Sequence, residues 1–175
     1  MALEIEVKAY VEDILQLERT LCEMGAYHEA TLYQVDSYFN HPSHNFAETD
    51  EALRIRTSNN NALLTYKGPK IDSCTITREE LEIHIDDPDT SQLLLERLGF
   101  QFIARVKKKR EVHTYENFHI YLDKVEGLGI FIEVEIQEKD LERGRSKIIR
   151  FLKELHLHRL ERRSYLELLL EKNGM

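Results

Sequence analysis

The stretch Glu4-Ile5-Glu6-Val7-Lys8 alternates charged and apolar residues without a break. In a β-strand successive side chains point to opposite faces, so Glu4, Glu6 and Lys8 share one face and Ile5 and Val7 the other. An ordinary half-buried strand would turn such charges to solvent. The pattern returns, however, on strand after strand. Thr31 to Phe39 places Gln34, Asp36 and Tyr38 on one side. Ala52 to Thr57 aligns Arg54 with Arg56, and Ala62 to Lys67 aligns Leu63, Thr65 and Lys67. Thr75 to Ile85 aligns Arg78, Glu80, Glu82 and His84; Val106 to Tyr115 carries Lys108 and Arg110. His119 to Val125 pairs Tyr121 with Asp123, and Ile130 to Gln137 aligns Phe131, Glu133 and Glu135.

The segments between strands carry helix and turn signals. Val11 to Met24 repeats apolar residues at three- and four-residue steps and ends at Gly25, where a helix C-terminus favours a left-handed residue. Leu93 to Leu98 reads as a second helix, ended by Gly99. Ser58-Asn59-Asn60-Asn61 suits a hairpin turn, and Gly68-Pro69 should stop a strand. From Leu141 to Lys172 the tail reads as helical, with apolar stripes at Ile148, Ile149, Leu152 and Leu155 and at Tyr165, Leu166, Leu169 and Leu170.

Two weak copies of one plan are visible, over roughly 1–74 and 75–137, within a single domain of 175 residues. Glu4-Ile5-Glu6-Val7-Lys8 matches Glu80-Leu81-Glu82-Ile83-His84, and each is followed by a helix, a long strand and two hairpin strands. The first half's hairpin is cationic (Arg54, Arg56, Lys67); the second's is anionic (Asp123, Glu133, Glu135). The expected fold is α+β: roughly eight antiparallel strands in a closed or nearly closed barrel, with helices packed outside.

The apolar faces carry Ile5, Val7, Leu53, Ile55, Leu64, Leu81, Ile83, Val106, Leu122, Ile132 and Val134. These need burial, and the helices are the available cover, so the charged faces line the lumen. Taking one ion out of water costs several kcal/mol even after relaxation, so such a lumen has to be wet and its charges balanced. The acids Glu4, Glu6, Asp36, Glu80, Glu82, Asp123, Glu133 and Glu135 nearly match the bases Lys8, Arg54, Arg56, Lys67, Arg78, Lys108 and Arg110. The ligand that fits is a polyanion with divalent cations. Arginine forks suit phosphate oxygens, and carboxylates suit Mg²⁺ or Mn²⁺.

Composition narrows the function. The net charge of −8 argues against nucleic-acid and anionic-membrane binding. No apolar run reaches transmembrane length, and the chain enters a charged strand at once, so neither a membrane span nor a signal peptide is expected. Cys22 and Cys74 fit no metal spacing, and Cys22 is expected to pack in its helix. A cytoplasmic location is the simplest expectation.

These residues resemble the CYTH superfamily of triphosphate tunnel proteins, and most nearly its class IV adenylyl cyclase branch. The resemblance rests on Glu4-Ile5-Glu6-Val7-Lys8, Gln34-Val35-Asp36-Ser37-Tyr38-Phe39, Arg54-Ile55-Arg56, Thr65-Tyr66-Lys67-Gly68-Pro69 and Arg78 with Glu80 and Glu82. It continues through Lys108-Lys109-Arg110, Leu122-Asp123-Lys124-Val125-Glu126-Gly127-Leu128-Gly129 and Phe131-Ile132-Glu133-Val134-Glu135. The resemblance implies that Lys8, Arg54, Arg56, Lys67, Arg78, Lys108 and Arg110 contact a triphosphate. It implies that Glu4, Glu6, Asp123, Glu133 and Glu135 hold Mg²⁺ or Mn²⁺, directly or through water. Asp36, Glu80, Glu82 and His84 are expected as further lumen residues.

Two chemistries then compete. A cyclase would convert ATP to 3′,5′-cyclic AMP and pyrophosphate; a triphosphatase would hydrolyse thiamine triphosphate, inorganic triphosphate or a nucleotide. A non-catalytic polyanion receptor is a third reading, disfavoured by the many carboxylates. No single catalytic base stands out. His41 and His44 fall in a loop near the expected mouth, and the C-terminal stripes permit a homodimer.

Overall fold

The computed structural model describes residues 3–71, 73 and 75–174, and Cys74 lies outside them. In chain order come β1 (Leu3–Tyr10), α1 (Ile14–Met24), β2 (Tyr27–Asn40), α2 (Phe46–Thr49), β3 (Ala52–Ser58), β4 (Asn61–Lys70) and β5 (Arg78–His84). Then follow α3 (Pro88–Arg97), β6 (Gln101–Tyr115), β7 (Phe118–Val125), β8 (Gly129–Glu138), α4 (Leu141–Glu154), β9 (Leu160–Glu161) and α5 (Tyr165–Lys172). Local chemistry sets the helix ends. The side chains of Asp13, Asp87 and Asp140 each accept a backbone N–H in the first turn of the helix that follows, and Gly25 closes α1 at φ 88°.

The strands form one antiparallel sheet in the order β5-β4-β3-β2-β6-β7-β8-β1-β9. The order from β5 to β1 is palindromic: β5 lies beside β4, and β1 beside β8, so each strand–helix unit lends its first strand to the other half's hairpin. Of the expected eight-stranded, closed or nearly closed barrel, the strand count and full closure are corrected. A ninth strand is present, and among the described residues no ladder joins β5 to β1. Instead β9 pairs with Lys8 and Ala9 on the free edge of β1, and the Ile76 N–H donates to the Glu6 carbonyl at 3.1 Å. Residues 75–77, just ahead of β5, form no strand, so the gap is bridged there by this hydrogen bond rather than by a ladder.

The side-chain alternation decides what lies where. On the outer face α1 and α4 bury Ile5, Val7, Ile120, Leu122, Ile132 and Val134 against Leu17, Leu21, Ile148, Phe151 and Leu152. Gly144 permits this approach, because a Cβ there would run into Ile5 and sit 3.1 Å from Glu138 Cβ. Leu95 of α3 covers Phe39 and Ile55 on the other half. That cover is incomplete: Leu81 and Ile83, expected beneath helices, are each 59% exposed. Val106 is also corrected. It faces inward with Tyr38, Val125 and Phe131, beneath Tyr165 and Leu168 of α5.

Three further expectations change. The tail is not one helical stretch: His156 takes a left-handed conformation at φ 59°, β9 follows, and Ser164 starts α5 with a capping box. Gly68-Pro69 does not stop β4, which runs on to Lys70 through a register shift between Lys67 and Lys70. Cys22 is exposed on α1 rather than packed. No helix among the described residues is long and apolar enough to cross a membrane.

Candidate active site

The strand registers sort the inward side chains along the lumen. Down the β1–β8 ladder, Glu4 faces Gln137, Glu6 faces Glu135, Lys8 faces Glu133 and Tyr10 faces Phe131. Across β2–β3, Asp36 faces Arg56 and Tyr38 faces Arg54; across β4–β5, Thr65 faces Glu82 and Lys67 faces Glu80. Arg110 faces Asp123 across β6–β7. The lumen therefore grades from an acidic pole, through a belt of cations, to an apolar and aromatic pole that α5 covers. The cavity measures about 1010 Å³.

Two aspartates anchor the cationic belt from beneath. Asp36 accepts a bidentate fork from Arg56 at 2.6 and 2.7 Å, with Arg54 and Lys108 each 3.8 Å away. Asp123 accepts Arg110 at 2.7 and 2.5 Å and the Tyr165 hydroxyl at 2.8 Å. Arg110 also binds Glu133, which lies 3.6 Å from Lys8. Burial alone would raise the Asp36 and Glu133 carboxyls. The cations around them outweigh it and hold both well below the usual carboxylate range.

The remaining carboxylates behave oppositely. Burial first, and then repulsion from Glu133, push Glu6 up to about 7. Glu4 and Glu135 are also raised, by burial and then by neighbouring carboxylates: Glu80 for Glu4, and Glu4 for Glu135. Among the cations, burial and then Arg110 and Arg56 push Lys108 down to about 7. Burial and then Arg54 lower Lys67, which binds Glu80. The lumen thus holds surplus positive charge at one level and surplus negative charge at another.

Lys8, Arg54, Arg56, Lys67, Arg78, Lys108 and Arg110 all line this cavity, as do Glu4, Glu6, Glu133, Glu135, Glu80 and Glu82. Asp123 and Asp36 do not; 0% and 1% exposed, they sit behind the arginines as counter-ions. His84 does not line it either: it is exposed at the far end of β5. His41 and His44 stack on each other at 4.3 Å and brace Phe46, which does reach the cavity.

Several residues escape a strand-parity reading. Tyr165 carries the cations of Lys8 and Lys108 over its ring at 4.3 and 4.9 Å. Its signal in the sequence is an apolar helix stripe like any other. Asp50, in the loop before β3 and so without periodicity, brings Lys70 to 2.6 Å and the parity-expected Arg78 to 3.7 Å.

The donor chemistry suits a hard divalent cation. Glu4, Glu6 and Glu135 are oxygen donors raised first by burial and then by neighbouring carboxylates, and a cation among them would favour their charged forms. Among the described residues no three such donors already converge on one point, so binding would draw these side chains together.

The fold thus presents one β-lined cavity whose walls carry both the cationic belt and the carboxylate set. The CYTH domain profile matches residues 2–167, and the chain belongs to that family. A Methanocaldococcus jannaschii protein named "Putative adenylate cyclase MJ0240" is 38% identical over 95% of this chain and 98% of its own. The solved structure of PH1819 from Pyrococcus horikoshii is similar at a TM-score of 0.91 and 43% identity, covering 97% of this chain and 99% of that one. The structure of HpAC1 from Hippeastrum shares the fold at a TM-score of 0.71 and 23% identity, covering 99% of this chain and 96% of that one.

Proposed function

We propose that this protein is a divalent-metal-dependent enzyme acting on an organic triphosphate, with ATP cyclisation to 3′,5′-cyclic AMP and pyrophosphate as the first reading. The observation that carries it is the joint lining of one cavity by seven expected cations and an uncompensated carboxylate set. Arg54, Arg56 and Lys67 line the lumen from the adjacent strands β3 and β4 and would hold phosphate oxygens, the arginines by forks. Lys8, Lys108 and Arg110 would steady charge that grows on the bridging oxygen as the bond to the leaving pyrophosphate breaks. Glu4, Glu6 and Glu135 would hold Mg²⁺ or Mn²⁺, which supplies Lewis acidity toward the phosphate when bound.

The apolar pole supports an organic rather than an inorganic substrate. Tyr38, Phe46, Phe102, Leu166 and Leu170 line the same cavity, and a chain of phosphates has no use for them. A volume of about 1010 Å³ admits a nucleoside triphosphate with its waters. The M. jannaschii relative carries a cyclase name.

Triphosphate hydrolysis is the second reading. The phosphate grip is common to both chemistries, and the Hippeastrum protein is described as having a dominant triphosphatase activity. Incubation with ATP, thiamine triphosphate and tripolyphosphate, each with Mg²⁺ or Mn²⁺, separates the readings. Cyclic AMP with pyrophosphate supports the first; phosphate release without cyclic AMP supports the second. Stoichiometric binding without turnover would leave a receptor and overturn both.

A further inference from the structure

Tyr165, the first residue of α5, reaches the seats of three lumen cations at once. Its ring centre lies 4.3 Å from Lys8 Nζ and 4.9 Å from Lys108 Nζ, and its hydroxyl donates to Asp123 at 2.8 Å. Asp123 in turn holds the fork of Arg110. Lys8 belongs to β1, and Lys108 and Arg110 to β6, so a single side chain joins two walls of the lumen. Tyr165 is itself buried, with Phe131 edge-on at 5.1 Å. Its backbone is held as well. The Ser164 capping box starts the helix, and Lys8 Nζ donates to the Arg163 carbonyl at 2.8 Å.

Lys108 shows what the ring contributes. Its side chain is buried, yet its Nζ is 3.8 Å from Asp36 and 3.9 Å from Asp123, beyond hydrogen-bond range. A third carboxylate in the place of the ring would fix the ammonium by neutralising it. An aromatic face attracts an ammonium without cancelling its charge. We propose that Tyr165 is a positioning residue of the lumen, whose ring and hydroxyl aim Lys8, Lys108 and, through Asp123, Arg110 at the phosphates of the substrate. This rests on the triphosphate reading above; what it adds is that the ring face, rather than the bulk of the side chain, is required.

Two readouts keep the addition apart from that reading. In the ligand-free protein with ¹³C-labelled lysine, NMR order parameters at the end of the Lys108 side chain report its positioning directly. Tyr165→Leu, which removes the ring, should lower this order about twofold, and Tyr165→Phe should retain it. A trifluorinated phenylalanine at position 165 keeps the shape and the packing but drains charge from the ring face, and it should behave as Tyr165→Leu does. Leu168→Ala loosens the same buried cluster without removing the ring, and should leave Lys108 ordered. In calorimetric titration with tripolyphosphate, Tyr165→Leu and the fluorinated variant should bind about tenfold more weakly than Tyr165→Phe, or about 1.4 kcal/mol. Unchanged Lys108 order in the fluorinated variant, or an equal loss in Leu168→Ala, would overturn the positioning role. Lys108 order that follows the ring in a protein that binds no tripolyphosphate would uphold the positioning and overturn the triphosphate reading.

Discussion

Glu6 and Glu135 face each other directly across the β1–β8 ladder, two carboxylates opposed on the inner wall with no cation between them in register. One step along, Lys8 faces Glu133, and that pair is balanced. A sheet gains from opposite charges placed across a ladder and loses from like ones. The unbalanced step therefore marks where the protein gives up stability, and where a divalent cation would return it.

The pH dependence of stability follows from Glu6. Its carboxyl is raised from 4.5 to about 7, so the folded state binds more protons than the unfolded one between those values. Stability from this group is full below about pH 4.5 and is lost as the pH rises through about 7, by up to about 3 kcal/mol. The melting temperature of the metal-free protein should fall from pH 5 to pH 8 by this contribution. Glu6→Gln should flatten that fall, and Mg²⁺ should raise the melting temperature at the upper end. An unchanged slope in Glu6→Gln would remove Glu6 as its source.

Lys108 gives a proton signature for substrate binding. Its ammonium is held near 7 by burial and by Arg110 and Arg56, so it is largely neutral at about pH 8. A phosphate beside it favours the charged form. ATP binding at about pH 8 should then take up part of a proton, read as a calorimetric enthalpy that varies with the buffer's ionisation enthalpy. Lys108→Met should abolish that variation.

Arg110→Ala should be severe. It strips the bidentate partner from Asp123, which is 0% exposed, and one of the two cations from Glu133. Breaking a buried pair on one side costs about 3–5 kcal/mol. Tyr165→Phe, which leaves Asp123 its arginine, should cost only about 1–2 kcal/mol. Urea unfolding of both variants checks the order.

Gly144→Ala tests the seat of α4. The added methyl gains helix propensity but meets Ile5 and Glu138 in a packed interface. A net loss of about 1–3 kcal/mol is expected from overpacking, measurable by thermal unfolding. A stabilised variant would mean that Ile5 repacks freely.

Much of the lumen was legible because a strand's two-residue period carries side-chain direction without knowledge of the partners. Glu6, Lys8, Arg54, Arg56, Lys67 and Glu135 meet in one cavity as the alternation requires. Parity gives a face but not a depth. Asp36 and Asp123 lie on the inner face yet end beneath the arginines, because bidentate pairing pulls them out of the cavity. His84 has the right parity but lies beyond the cavity's reach. The irregular parts were not legible. β9 is two residues long and is set by the edge of β1, and Pro69 survives in β4 because a register shift accommodates it. The place of α5 on the inner face depends on Tyr165 meeting Asp123, 42 residues away in sequence, which no local pattern encodes.

The most direct measurement is a crystal structure of the protein grown with tripolyphosphate and Mn²⁺, with the metal located by anomalous scattering. The account predicts phosphate oxygens within hydrogen-bond distance of Arg54, Arg56 and Lys67, and a manganese peak among Glu4, Glu6 and Glu135. Phosphate density confined to the exterior, or a peak remote from these carboxylates, would contradict it.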